Sequence, residues 1–252
     1  MSVIRTKALI LRHTTDREHD RIIVVLTPQY GQMRIRARGT KKSTAKLGGS
    51  LEPMMEVDLT LANGRVTDVV TGSVILNRFN RLRREVVSLI MAQWLLELVE
   101  RVTKPNQHDP ALYDLVVGML ADMAEETDAP AGQRWLRLLR RAWLILGHQG
   151  FAPSLERCAV CHQPLTADDV AFHPAAGFVH RREASAEAAV VKPSVVAYLR
   201  GGNSADDRQM FAALRRLVES ILHHTLDRPL KSEGVLRSVV RLAQLPNSRI
   251  AR

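Results

Sequence analysis

The period of the apolar pattern changes once along the chain, near residue 78, and that change limits the fold more than any other feature. Up to that point apolar residues recur at every second position. The clearest case is 54–61, where Met55, Val57, Leu59 and Leu61 alternate with Glu56, Asp58 and Thr60, the pattern of a strand with one buried face. Runs at 3–11, 21–27, 32–38 and 66–76 complete a set of five short strands. Asn63-Gly64 falls between the last two and predicts a hairpin turn, because both residue types tolerate positive φ. Five strands in about 75 residues is the count of a small barrel of the OB type.

Beyond residue 78 the period becomes helical. Residues 81–102 form a long amphipathic run with Leu89, Leu95, Leu96 and Val99 on its apolar side. Asp109 followed by Pro110 supplies an N-cap and a first-turn proline for a helix over 111–127. A third helix covers 133–148 and ends at Gly150, with Trp135, Leu138, Leu139, Ala142 and Leu146 as its stripe. Residues 152–185 are loop-rich and hold both cysteines; helices resume at 194–200, 206–226 and 233–242. The expected class is α+β. An N-terminal OB-fold β-barrel spans 1–78, an α-helical domain is built from 79–151 and 186–252, and 152–185 is inserted within it.

Charge then narrows the partners. Lys and Arg number 36 against 26 Asp and Glu, a formal charge of +10, which favours a polyanion. Only two cysteines are present, three apart; that excludes a disulfide framework and fits a reducing compartment. Neither a leader-like run nor a membrane-length apolar segment is read, so a cytoplasmic location is expected.

The most basic stretch carries Arg34, Arg36, Arg38, Lys41, Lys42 and Lys46 with no acid between them. On a strand the three arginines share one face at a spacing of about 7 Å, so they can meet successive phosphates and release their counterions. Six such contacts would give a log–log salt slope of roughly −4 to −5. The plain alternative is a solvated strand face. Two further clusters, Arg78, Arg81, Arg83, Arg84 and Arg134, Arg137, Arg140, Arg141, are less specific, since a charged helical face is usually just solvated. Tyr30 and Phe79 are the only aromatics of the barrel segment. That favours contact with the nucleic-acid backbone over base stacking, and weak sequence preference.

Cys158 and Cys161 are half of a zinc knuckle. A structural zinc takes four ligands, and Cys158, Cys161 and His180 with Glu183, or with His173 instead, would complete a tetrahedron. The alternative is a vestigial knuckle with two free thiols. The segment Cys158 to His162 also matches the c-type haem attachment pattern, but that chemistry requires export. A redox CxxC would open a helix, whereas Gln163-Pro164 reads as a turn. No phosphate-binding loop, nucleophile elbow or zinc-protease motif occurs. Asp168-Asp169 reads as a solvated turn, and the adjacent His223 and His224 point to different sides of a helix. No enzyme is expected. An RNA-binding module and a basic protein-interaction adaptor are the competing classes.

Three stretches carry a family resemblance. They are 20–46, with Leu26-Thr27-Pro28, Gly31 and Ala37-Arg38-Gly39; 144–151, ending Gly147-His148-Gln149-Gly150-Phe151 just before the cysteines; and 224–236, with Arg228-Pro229-Leu230-Lys231-Ser232. In order and spacing they resemble the bacterial recombination mediators of the RecO family, over essentially the full chain. The resemblance implies an OB-fold DNA-binding domain, a helical domain and a zinc-finger-like insert at 152–185. It implies a non-enzymatic role in the RecF-type recombination pathway: binding single- and double-stranded DNA, annealing complementary strands and assisting recombinase loading, in the cytoplasm at the nucleoid. The implied partners are RecR and the acidic C-terminal tail of single-strand-binding protein, which the resemblance places near Arg140 and Trp143. Zinc-containing members have four cysteines; His180 and Glu183 stand at the third and fourth positions here.

Overall fold

The alternation that predicts strands is carried through in the structure, a computed structural model that describes residues 3–16, 19–40, 48–64, 66–203, 208–226 and 228–243. The class is α+β. The residues group into two compact units, Met1–Ala129 with Leu230–Arg252, and Pro130–Pro229.

In the first unit five strands, β1 (Val3–Thr15), β2 (Arg21–Thr27), β3 (Gly31–Ala37), β4 (Glu56–Ala62) and β5 (Val69–Asn77), pair in the order β1-β2-β3-β5-β4. β1 also pairs antiparallel with β4, which closes the barrel. Its interior is the set of alternate residues: Ala8 and Ile10, Ile23 and Val25, Met33, Ile35 and Ala37, and Val57, Leu59 and Leu61. Because the pleat sends neighbours to opposite faces, the same alternation turns Arg34 and Arg36 outward. β1 and β2 are buried on both faces, with Leu9, Leu11, Val24 and Leu26 covered as well. The cause is helix packing outside the barrel: α2 (Val86–Val102) lies on β1 and α3 (Pro110–Glu125) on β2.

Polar ties fix this docking. Arg12 forms a two-point ion pair with Glu100, at 2.7 and 2.8 Å. The Thr103 hydroxyl and the Gln32 amide lie 2.7 Å apart, and the Tyr113 hydroxyl donates to Glu56 at 3.0 Å. At the β2–β3 tip, Gly31 adopts φ +62 and packs directly on the carbonyl of Gln107.

Two sequence expectations need correction here. β4 and β5 do form a hairpin with Asn63 and Gly64 between them, but neither residue uses positive φ. What requires glycine there is space, since a Cβ would stand 2.0 Å from the Thr67 carbonyl oxygen. The single helix expected over 81–102 is two, α1 (Asn80–Arg84) and α2. Glu85 between them is extended, and its carboxylate accepts from the backbone N–H of Val87 and Ser88 at 3.1 and 2.6 Å. It caps α2 in place of continuing α1. Asp109 caps α3 as expected, accepting from Leu112 N–H at 2.9 Å.

The C-terminal helix α7 (Glu233–Ala243) packs on α2. One side chain holds the two residues that lead into it: Glu97 accepts from the N–H groups of Lys231 and Ser232 and from the Ser232 hydroxyl, at 2.8, 2.9 and 2.6 Å. Burial opposes the Glu97 charge, but these hydrogen bonds outweigh it and hold the carboxyl below its ordinary range.

The second unit contains α4 (Ala131–His148), a three-stranded sheet of β6 (Ala171–His173), β7 (Gly177–Val179) and β8 (Ala189–Val190) in the order β7-β6-β8, and helices α5 (Pro193–Leu199) and α6 (Arg208–Thr225). Aromatic edges set its packing. Trp135 meets Phe211 at 5.0 Å between ring centres, and Trp143 meets Phe178 at 6.0 Å. α4 ends as expected, with Gly150 at φ +77 and Phe151 N–H returning to the Leu146 carbonyl. No helix among the described residues is long and apolar enough to cross a membrane.

Candidate nucleic-acid interface and metal-ligand cluster

β3 carries its arginines on the outer face of the barrel. Arg34 stands opposite Val24 and is exposed; Arg36 stands opposite Ile22 and is half-buried. The strand ends at Ala37, so Arg38 belongs to the following turn rather than to the pleated row, and it too is exposed. Arg34 and Arg38 form no ion pair among the described residues. Arg36 does, with Asp16 at 3.0 Å. The row is therefore not free of acid: the acid comes from a residue twenty positions earlier, which the β1–β2 and β2–β3 registers together bring alongside. Lys41, Lys42 and Lys46 lie outside the described residues. Of the two aromatics, Phe79 is buried and Tyr30 is 39% exposed at the hairpin tip.

The other basic clusters are largely committed to structure. Arg81 pairs with Glu125 at 2.7 Å and Asp128 at 3.3 Å. Arg83 donates to the carbonyls of Arg78 and Pro53, which leaves Arg78 and Arg84 exposed. On α4, Arg134 and Arg141 are buried, so this is no simple solvated face. Arg140 lies over the Tyr198 ring at 5.0 Å. Trp143 is 7% exposed and fills the core against Phe178. His223 and His224 are exposed at the end of α6. Arg5 on β1 is a basic residue the sequence pattern does not single out; Asp58 engages it at 2.7 Å.

The second cluster is built by a knuckle and the strand beside it. The chain reverses at Cys158, where His162 N–H returns to the Cys158 carbonyl at 3.0 Å and His162 takes φ +59. Ala159 N–H then bonds to the Phe178 carbonyl on β7 at 2.8 Å. β7 runs into His180, and a single turn over Arg181–Glu183 folds Glu183 back. In consequence donor atoms of Cys158, Cys161 and His180 all lie within 4.8 Å of one another. Glu183 accepts from the Cys158 thiol at 2.8 Å. Hydrogen bonds from both thiols hold the Glu183 carboxyl below its ordinary range.

His180 gives the sharpest observation. Its Nδ1 meets Asp169 Oδ2 at 2.8 Å, while Asp169 Oδ1 accepts from Arg181 N–H at 3.0 Å. Its Nε2 is buried and has no hydrogen-bond partner among the described residues. A buried ring nitrogen left open, with the other fixed by a carboxylate, is the arrangement of a metal-bound histidine. Two sulfurs and one imidazole nitrogen thus converge, three of the four donors a tetrahedral zinc ion takes; Glu183, which meets the Cys158 thiol but lies outside that three-residue cluster, is the candidate fourth. Asp169, expected to be a solvated turn residue, is what orients the ring. The alternative ligand His173 is engaged elsewhere. Its Nδ1 accepts from the N–H groups of Ala175 and Ala176 at 3.2 and 3.1 Å, and its Nε2 faces Glu187 at 3.4 Å.

Comparison with known proteins adds the family. Residues 1–79 match the family described as Recombination protein O N terminal, and residues 83–234 match Recombination protein O C terminal. Among relatives, the DNA repair protein RecO of Dehalococcoides mccartyi is 31% identical over 173 residues, covering 69% of this chain and 66% of that protein, just under two thirds of its length. That of Gloeobacter violaceus is 28% identical over 242 residues, covering 92% of each. That of Bifidobacterium longum is 28% identical over 246 residues, covering 94% of this chain and all of the relative.

Proposed function

The chain belongs to the recombination protein O (RecO) family of DNA repair proteins, and on that premise we propose that it is a non-enzymatic mediator which binds single- and double-stranded DNA, anneals complementary strands and assists recombinase loading. The observation that supports this most is the placement of Arg34 on the outer face of β3 and of Arg38 in the turn after it, both exposed and with no acid paired to them among the described residues. On an OB-type barrel one face and its loops track a nucleic-acid backbone.

The mechanism is electrostatic. Two complementary strands repel each other. A basic surface neutralises both backbones, releases their counterions and raises local strand concentration, while base edges stay free to pair. Scarce exposed aromatics help, because a base stacked tightly on protein is withheld from its partner strand. No step breaks a bond, so no catalytic group is assigned. Work at the nucleoid in the cytoplasm, with RecR and the acidic tail of single-strand-binding protein as partners, belongs to the same reading. For that tail Arg140 is the residue we retain; Trp143, buried against Phe178, is not offered to a partner.

The test is the annealing of two labelled complementary oligonucleotides across a salt series. Acceleration that fades as salt rises is expected. No acceleration at low salt by folded protein would remove the reading and bring the RNA-binding and adaptor classes forward.

We further propose that Cys158, Cys161, His180 and Glu183 hold one structural zinc, which would tie the knuckle to β7. Metal analysis of the purified protein should find about one zinc per chain, as four donors make one closed site. His180→Ala should lose it. Asp169→Asn should weaken zinc affinity by about 10- to 100-fold through the loss of ring orientation. Zinc-free protein whose melting a chelator does not change would count against the site.

A further inference from the structure

The loop that enters β2 reaches across to the basic end of β3. Strand register sets Arg21 opposite Ala37 and Ile22 opposite Arg36, so residues just before Arg21 lie beside those just after Ala37. Two carboxylates stand at that junction. Asp20 Oδ1 accepts from Gly39 N–H at 2.9 Å and holds the turn that carries Arg38. Asp16 Oδ2 meets Arg36 Nη2 at 3.0 Å, with side chains 25% and 28% exposed. Asp16 N–H bonds to the Asp20 carbonyl at 3.1 Å, joining both acids in one loop. Arg36 Nε is covered and has no hydrogen-bond partner among the described residues. The guanidinium therefore meets solvent, and any incoming anion, through its Nη end, where Asp16 stands.

We propose that Asp16 is an internal counter-anion for Arg36, competing with DNA phosphate and setting how many phosphates the strand neutralises. This rests on the DNA-binding reading above. A paired arginine carries little net charge toward an incoming phosphate, so it neutralises little of the DNA and releases few of its condensed counterions, adding little to the salt dependence. Yet the pair is partly exposed, so a phosphate can displace the carboxylate. Asp16 thus keeps Arg36 in reserve beside Arg34 and Arg38, which have no ion pair among the described residues. For an annealing protein this has a use, because a strand held too tightly is not released as duplex.

The experiment is a binding titration of the full chain with a labelled single-stranded oligonucleotide across a salt series. The wild type, Asp16→Asn, Arg36→Ala and the double variant are compared. Asp16→Asn should bind about three- to ten-fold tighter at low salt, with a log–log slope steeper by about 0.7. In the Arg36→Ala background the same substitution should change nothing, because its effect runs through that guanidinium. Binding by Asp16→Asn no tighter than wild type would overturn the proposal. So would a gain that persists without Arg36, which would reduce Asp16 to one unit of net charge. If Asp16→Asn melts below the wild type, Asp16→Ser supplies the same comparison. Wild-type protein without salt-dependent DNA binding would overturn the reading beneath, and is seen separately because it involves no variant.

Discussion

Replacing Arg34 and Arg38 together by alanine should weaken single-stranded DNA binding by about 25-fold near 0.1 M salt, roughly 2 kcal/mol, and flatten the log–log salt slope by about 1.4. Each exposed guanidinium is counted as one phosphate contact, worth about 0.7 of slope on a single strand. The loss should be similar for every sequence, since phosphate contacts carry no base information. Arg36→Ala alone should cost clearly less than Arg34→Ala alone, because Arg36 is already paired with Asp16. That ordering separates the structure from the sequence pattern, in which the three arginines are equivalent. Neither side chain supports the fold: Arg34 and Arg38 are exposed, so the double variant should melt with the wild type. A folded double variant with unchanged affinity and slope would remove β3 and its turn from the interface.

How far these sites were legible follows from what each depends on. Strand alternation is a local property, and Val57, Leu59 and Leu61 read inward from the sequence as they do in the barrel. The outward turn of Arg34 and Arg36 follows from the same period. The Asp16–Arg36 pair was not legible, because it depends on strand register, not on spacing along the chain. Glu85 was hidden for another reason: glutamate is a good helix former, and only the extended backbone at that residue makes its carboxylate a cap. On α4 the apolar stripe was found, but the burial of Arg134 and Arg141 was not, since amphipathic reasoning assigns every arginine to solvent. The cysteine pair and His180 were visible by ligand chemistry. Asp169 was not, because an orienting carboxylate has no spacing rule; its role emerges only when the β7 end and the preceding turn come together.

Gly31→Ala should destabilise the first unit by about 3–5 kcal/mol and lower its melting temperature by roughly 10 °C or more. The left-handed conformation at φ +62 costs an L-residue with a Cβ about 1–2 kcal/mol. The new Cβ would also stand 1.9 Å from the Gln107 carbonyl oxygen and 2.7 Å from its carbon. Both are backbone atoms, so no side chain can rotate away. Nor is the opposing segment free to retreat: Asn106 N–H bonds to the Gln32 carbonyl at 2.9 Å, and His108 Nδ1 lies 2.9 Å from the Gln29 carbonyl. The hairpin tip must lift, and each hydrogen bond lost adds about 1 kcal/mol. Gly118→Ala makes the comparison sharp. Gly118 sits in α3 with nothing within 4 Å of where a Cβ would stand, and alanine there should stabilise by up to about 1 kcal/mol. The two glycines should therefore shift melting in opposite directions. Below its melting range, Gly31→Ala protein should keep the wild-type salt slope, because the tip fixes the start of β3 without itself contributing a cation. A Gly31→Ala variant that melts with the wild type would mean the tip is not seated on 105–108. A flattened slope in folded variant would mean that its docking, and not the exposure of Arg34 alone, sets the interface.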